Sequence, residues 1–518
     1  MINKLDLTLL PEEAFDDKRL SDIVKTICKI KESDRFEIVK LKRCIDARSR
    51  TPVINLLLEV YINENPPPEP VIKENYKFVS DKKIVIIVGA GPAGYFAALE
   101  LIEYGIKPII FDRGKDVRTR RKDLRAIQQF SEVNPNSNYC FGEGGAGTYS
   151  DGKLYTRSHK RGDIYKALRI LVEHGAKPDI LIDTHPHIGS NKLPGVVQNL
   201  RETILQFGGE INFDSLVTDL IIEDEKTLGV IVNDREEHFG DSVILATGHS
   251  ARDIFYLLNK KNILIESKPF AIGVRIEHPQ CLIDEIQYRQ KPRSEFLPAS
   301  SYKLTAQING RGVFSFCMCP GGLIVPAATS PGEIVVNGMS MSRRDSEFAN
   351  SGIVVAVENE DLQKYKPHGA LAGLEFQKDL EKKFFNSGDG SQKAPAQRMT
   401  DFVNSKLSSD LGSTSYIPGV YSSMVNELLP ENISERIKLA LIQFGKKMKG
   451  FFTEEGYVIG LESRTSSPVR IPRDKDTYEH LQIKNLYPCG EGAGYAGGII
   501  SAALDGQNVA NAICRKLN

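Results

Sequence analysis

Gly89-Ala90-Gly91-Pro92-Ala93-Gly94 follows an unbroken apolar run, Ile84 to Val88, and opens a helical pattern from Ala93 to about Tyr104. The chemistry of these residues is that of small or missing side chains. Gly89 permits a tight turn, Gly91 lets the backbone approach a pyrophosphate, and Gly94 allows a helix to pack closely on a sheet. Pro92 suits a first helical turn, where its missing N–H would have been unpaired in any case. The helix N-terminus that begins at Ala93 offers free amides and a partial positive charge to phosphates. Asp112 ends the next strand, Lys107 to Phe111, 18 residues after Gly94. A carboxylate there accepts hydrogen bonds from ribose hydroxyls, and Arg113 beside it joins the same candidate set. Together these residues point to a bound dinucleotide.

A second constellation lies near the C-terminus, at Leu486-Tyr487-Pro488-Cys489-Gly490-Glu491-Gly492-Ala493-Gly494-Tyr495-Ala496-Gly497-Gly498-Ile499-Ile500. It resembles the second FAD-binding motif of glutathione-reductase-type flavoproteins: a strand, a Gly-acid pair, then a helix aimed at the flavin. The resemblance implies that Gly490, Glu491, Gly497, Gly498 and Ile499 meet the cofactor, with Glu491 standing where Asp is commoner. Val243-Ile244-Leu245-Ala246-Thr247-Gly248 is similar to the Ala-Thr-Gly strand end of the same superfamily, which adds Thr247 and Gly248. Three motifs in this order imply FAD.

The segments 141–154, 248–253, 317–322 and 462–468 resemble a bacterial family labelled only "FAD-dependent dehydrogenase", and the likeness covers the whole chain. It implies FAD and redox chemistry, and it supplies no substrate. Gly144 and Gly145 belong to a loop too rich in glycine for a strand or helix; a plain turn is the alternative. Lys153 follows, placed to offset negative charge on a reduced flavin.

Cys317 and Cys319 share a face of an expected strand, with Cα atoms about 6.6 Å apart, near the upper limit for a disulfide. They form either a thiol relay or two small hydrophobes. His185 and His187 also share a face. They have no third ligand for a metal, so no metal is expected, and substrate contact or proton transfer competes with a structural pair. Arg275 and Arg464 each suit a carboxylate or phosphate held bidentately, or a structural ion pair.

These groups need a scaffold, and the pattern supplies one. Residues 1–75 read as a small α+β domain, with strands near 5–10, 36–45 and 53–62 and a helix over 19–30. Pro66-Pro67-Pro68-Glu69-Pro70 ends it as a stiff spacer. Residues 80–260 form the first part of a Rossmann-like, three-layer ββα FAD-binding domain, and 456–518 its C-terminal part. An inserted α+β substrate domain fills 262–455, with an expected mobile loop at 386–391. The fold class is α/β.

Composition narrows the classes. Lys+Arg and Asp+Glu are both 67, a net charge of zero, so the whole chain offers no field for nucleic acid or an anionic membrane. A local basic excess over residues 18–50 is the one exception; a solvated surface is its leading explanation and an anionic partner the alternative. No apolar run nears the ~20 residues that span a bilayer. Eight scattered cysteines suit a reducing cytosol. The expected function is an FAD-dependent oxidoreductase acting on a small molecule, with NADH or NADPH as a transient electron donor. A flavin-bearing partner of RNA or protein, or an FAD-dependent tRNA-modifying enzyme, is the alternative. The sequence carries no reading of oligomeric state.

Overall fold

A computed structural model describes residues 2–156 and 162–517. At its centre lie five parallel strands, in the order Leu486–Pro488, Ser242–Leu245, Ser80–Val88, Ile106–Phe111 and Glu210–Asn212. Both faces of this sheet are covered, which is why its strands read as continuous apolar runs rather than alternating ones. Val85 and Ile87 enter the core shared with helices Pro92–Glu103 and Ile499–Leu517. Ile86 and Val88 point the other way, into the core under the antiparallel strands Val217–Glu223 and Lys226–Val232. The two helices meet so closely that a Cβ on Gly506 would overlap the Ala93 carbonyl.

A second sheet of seven strands holds Thr305–Ile308, Arg311–Cys319, Phe348–Ala356, Ala271–Pro279, Tyr457–Glu462, Ala394–Arg398 and Val420–Ser422, in that order. Helices Ala372–Asn386 and Glu431–Lys447 cover it through Phe376, Leu380, Phe384, Ile433, Ile437 and Phe444. Tyr457–Glu462 is an interior strand of this sheet, although the sequence assigns 456–518 to the cofactor-binding part. Every residue of that strand is buried, Glu462 included, and the uncharged run 457–461 does not say which sheet it joins.

At the N-terminus, strands Ile2–Leu9, Val53–Ile62 and Phe36–Asp46 form a three-stranded sheet. Helix Asp17–Cys28 packs Leu20 and Val24 on Ile54, Leu56 and Leu58, and the Asp16 side chain caps it by accepting from the Lys18 and Arg19 amides. The helix starts two residues earlier than its apolar stripe suggests, because Asp16 supplies the cap. The proline segment is not a free spacer: Arg169 binds Glu69 and donates to the Pro70 carbonyl at 2.9 Å. Arg43 ties the N-terminal sheet to the body through Asp183 at 2.7 Å and Asp179 at 3.0 Å. The loop expected to be mobile is fastened at its end, where the Gln392 amide donates to Ser131 Oγ at 2.9 Å.

Candidate FAD site

The carboxyl ends of the parallel strands, the glycine-rich loop after Phe141 and the end of strand Arg311–Cys319 enclose one open cleft with about 1530 Å³ of empty space. All the cofactor candidates except Gly94, Gly144 and Gly497 line it. Gly89 sits at φ 108°, and a Cβ there would overlap the Ala246 carbonyl. Gly94 is needed for packing instead, since a Cβ on it would strike the Gly89 carbonyl. Gly91 differs from both. Its φ is −77°, and a Cβ would find only Gly145 Cα, at 4.0 Å, so the space above it is open.

Asp112 is buried, and both its oxygens hold backbone: Oδ2 accepts from the Ala90 amide and Oδ1 from the Gly114 amide, each at 2.8 Å. It fastens the turn, and each oxygen keeps a second lone pair. Arg113 pairs with Asp253 at 2.7 Å and lies over the Phe141 ring.

Two buried residues outside the sequence candidates shape the glycine-rich loop. Arg120 donates to the carbonyls of Asn138, Glu143 and Gly145 at 2.8–3.0 Å. Glu143 accepts from Tyr95, from the Val117 amide and from Arg201, at 2.8, 2.8 and 3.0 Å. Burial pushes the Glu143 carboxyl up, and the Val117 amide and Arg201 oppose it. A charged residue inside a run of glycines was the visible signal for Glu143. Gly144 serves this loop, its amide donating to the Ala90 carbonyl at 2.8 Å. The second turn is held in a similar way. Asp505 accepts from the Gly490 amide at 2.7 Å and is pinned by Arg473.

Glu491 lies at this second turn. Burial pushes its carboxyl up to about 7, Lys268 opposes the shift and Cys317 adds to it. A folded-state value above the unfolded one means that the native protein holds the proton more tightly. Stability is therefore lost as pH rises from the unfolded value through about 7. Glu491→Gln is expected to melt higher than wild type at pH 8 and to match it below about pH 4.5 in thermal melts of the apoprotein. Equal melting temperatures at pH 8 would refute this.

The catalytic candidates separate. Lys153 and Cys317 line the cleft. Lys153 Nζ donates to the Met318 carbonyl, with Asp151 at 3.7 Å and Cys319 Sγ at 4.0 Å. Burial works to lower the Lys153 pKa, but the two cysteines and Asp151 outweigh it and raise it. His185 and His187 do not line the cleft. His185 is exposed against the Tyr155 ring, and His187 Nε2 is 3.2 Å from the Ser342 carbonyl. The segment is not a strand, so the alternation that would have aligned the two rings is absent.

Arg275 is corrected as an anchor for substrate. It is fully buried and spent on Asn350, Glu462 and the Cys317 carbonyl at 2.7–2.8 Å. Arg464 does reach the cleft wall, yet its guanidinium is engaged by Glu381, Glu333 and Thr329. Both are structural ion pairs, the alternative reading of each. Among the described residues no three His, Cys, Asp or Glu side chains form a metal-binding group, and no helix is long and apolar enough to cross a membrane.

The residues present fit FAD. Two glycine turns leave room for backbone to meet a phosphate, two helix N-termini face one cleft, and an acid stands at the end of the second strand. A family described as "FAD binding domain" matches residues 82–126, and "FAD-dependent protein, C-terminal domain-like" matches 269–465. Residues 1–61 match a "Domain of unknown function (DUF8436)". The chain is an FAD-dependent flavoprotein of mixed α/β fold, and FAD is its cofactor.

It belongs to the family of an "Uncharacterized protein" of Clostridium beijerinckii, which is 40% identical over 541 residues covering 100% of this chain and 99% of that protein. Solved structures are more distant. Tetracycline destructase Tet(51) is 10% identical, with 84% of this chain and 82% of that one covered and a TM-score of 0.35. An oxidoreductase from Methanosarcina mazei is 12% identical, with 83% and 100% covered and a TM-score of 0.33.

Proposed function

We propose that the protein is an FAD-dependent oxidoreductase that moves a hydride between flavin N5 and a small-molecule substrate, within a Rossmann-like, glutathione-reductase-type arrangement. The observation that carries this reading is a single cleft lined at once by the Gly89–Gly91 turn, the Gly490–Glu491 turn, Lys153 and Cys317. FAD, when bound, supplies a two-electron carrier.

The chain's own residues do the rest. Amides at the N-terminus of helix Pro92–Glu103 would neutralise the pyrophosphate, and Asp112 with Arg113 would hold the ribose end. The turn Gly490–Glu491 and the start of helix Ile499–Leu517 would hold the flavin end, where Lys153 would offset negative charge. Phe316 and Cys317 of strand Arg311–Cys319 form part of the cleft wall. Glu491 lines the cleft, and with its carboxyl pushed up by burial to about 7 it would be able to give or take a proton there. A cytosolic location and a small-molecule partner belong to the same reading, and the balanced charge of the chain supports it over nucleic acid.

The test is an anaerobic visible spectrum of the purified protein titrated with NADH and then with NADPH. An oxidised flavin band bleached by one of them identifies the donor and supports a reductase. A band that neither nucleotide bleaches moves the search to substrates oxidised directly. A protein that binds no flavin after reconstitution with FAD overturns the reading.

A further inference from the structure

Cys317 and Cys319 occupy a local irregularity. Strand Arg311–Cys319 pairs in register with Phe348–Ala356 as far as Phe316 opposite Gly352, then skips, so that Cys319 faces Asn350. Cys317 lies in that bulge at φ 44°, a left-handed conformation that a side-chain-bearing residue rarely adopts. Cys319 Sγ donates to the Cys317 carbonyl at 3.3 Å. The two thiols are brought together by the bulge and not by the pleat of a regular strand. Non-glycine residues held in such conformations cluster at functional sites.

Two cations reach the pair, each with a carboxylate of its own: Arg275 with Glu462 at 2.8 Å and Lys153 with Asp151 at 3.7 Å. Arg275 Nη2 is 3.7 Å from Cys319 Sγ and 2.7 Å from the Cys317 carbonyl, and Lys153 Nζ is 4.0 Å from the same sulfur. Cys317 opens onto the cleft, while Cys319 is fully buried behind it. A hydrogen bond from Cys319 holds the Cys317 thiol well below the ordinary cysteine range; burial opposes that shift, and Lys153 and Arg275 reinforce it. The same contact and burial push the Cys319 thiol up. One reactive thiol facing a cleft, with a resolving thiol behind it, is the arrangement of a redox dithiol.

We propose that Cys317 and Cys319 form a reversible redox pair that exchanges two electrons with the cofactor of the cleft. This rests on the reading of the cleft as an FAD site. On oxidation both thiols lose their protons to solvent, one S–S bond forms, and two electrons leave to a two-electron acceptor of the flavin class. Reduction reverses each change.

The experiment uses the holoprotein and has two readouts. Anaerobic reductive titration with dithionite is expected to consume twice as many electrons per flavin in wild type as in Cys317→Ser or Cys319→Ser. In parallel, wild type is oxidised with diamide, alkylated with N-ethylmaleimide and digested with trypsin. The peptide 312–343 should then be unalkylated and lighter by two hydrogens than its reduced form. After dithiothreitol it should carry two labels, while labelling of Cys140, also at the cleft, is unchanged by oxidation. Full labelling of 317 and 319 after diamide overturns the pair, and this readout needs neither a variant nor bound flavin. A disulfide without doubled electron uptake overturns the exchange with the cofactor. A preparation that takes up no FAD overturns the cofactor reading instead, and the peptide still decides whether the thiols pair.

Discussion

Gly91→Val is expected to give a folded protein that purifies without flavin. Two facts separate this glycine from its neighbours. Its φ of −77° is open to any residue, so valine imposes no backbone strain. An added Cβ meets nothing nearer than Gly145 Cα at 4.0 Å, so it displaces no protein atom. The new side chain instead fills the gap between two glycine turns, where backbone amides must approach the pyrophosphate. The FAD dissociation constant should rise by at least about 100-fold, or ~2.7 kcal/mol. The melting temperature of the apoprotein should stay close to wild type. Gly89→Val is the contrast: at φ 108° and against the Ala246 carbonyl it should compromise folding itself. Flavin fluorescence titration and circular dichroism separate the two outcomes. Stoichiometric flavin in Gly91→Val would remove the first glycine turn from the site.

The difference between those glycines was legible in the sequence because the motif is local. Six consecutive residues, with a strand before and a helix after, state their steric requirements without help from distant residues. The same holds for the turn at Gly490–Glu491 and for the N-terminal helix. Even there, tertiary packing had the last word on single residues: Ile27 falls on the apolar stripe of the helix yet is 48% exposed.

The long charged residues were not legible. Arg275 meets Glu462 from 187 positions away, and Arg464 meets Glu333 from 131 away. No spacing rule connects residues so distant, and an arginine awaiting a substrate looks the same in sequence as one awaiting a glutamate. The cysteine pair is an intermediate case. Its two residues are adjacent enough to be noticed, yet the bulge at Cys317 depends on pairing with Phe348–Ala356, which only the fold supplies.

One such long-range cluster carries the second large effect. Glu381→Ala is expected to cost about 3–5 kcal/mol, the penalty for removing one partner from a buried ion pair. Glu381 is fully buried and accepts from Arg252 at 2.6 Å, from Arg464 at 3.1 and 2.9 Å, and from Ser463 at 2.6 Å. Glu381 itself sits on helix Ala372–Asn386, which covers the large sheet, and its partners come from two other segments: helix Arg252–Lys260 after the Thr247-Gly248 turn, and Ser463-Arg464 at the wall of the cleft. Without the carboxylate, the guanidiniums of Arg464, which is buried, and of Arg252 beside it are left with Glu333 as their acid partner. Burial works against ionisation of Glu381, but Arg252 and Arg464 outweigh it and hold its carboxyl far below the usual range. A depressed folded-state value gives stability that is present above the unfolded value of about 4.3 and lost as pH falls through the folded one. Urea melts of wild type and Glu381→Gln, which keeps the shape without the charge, should therefore differ most at pH 7 and converge on acidification below about pH 4. A Glu381→Ala protein as stable as wild type at pH 7 would mean that the cluster does not join the cleft wall to the large sheet.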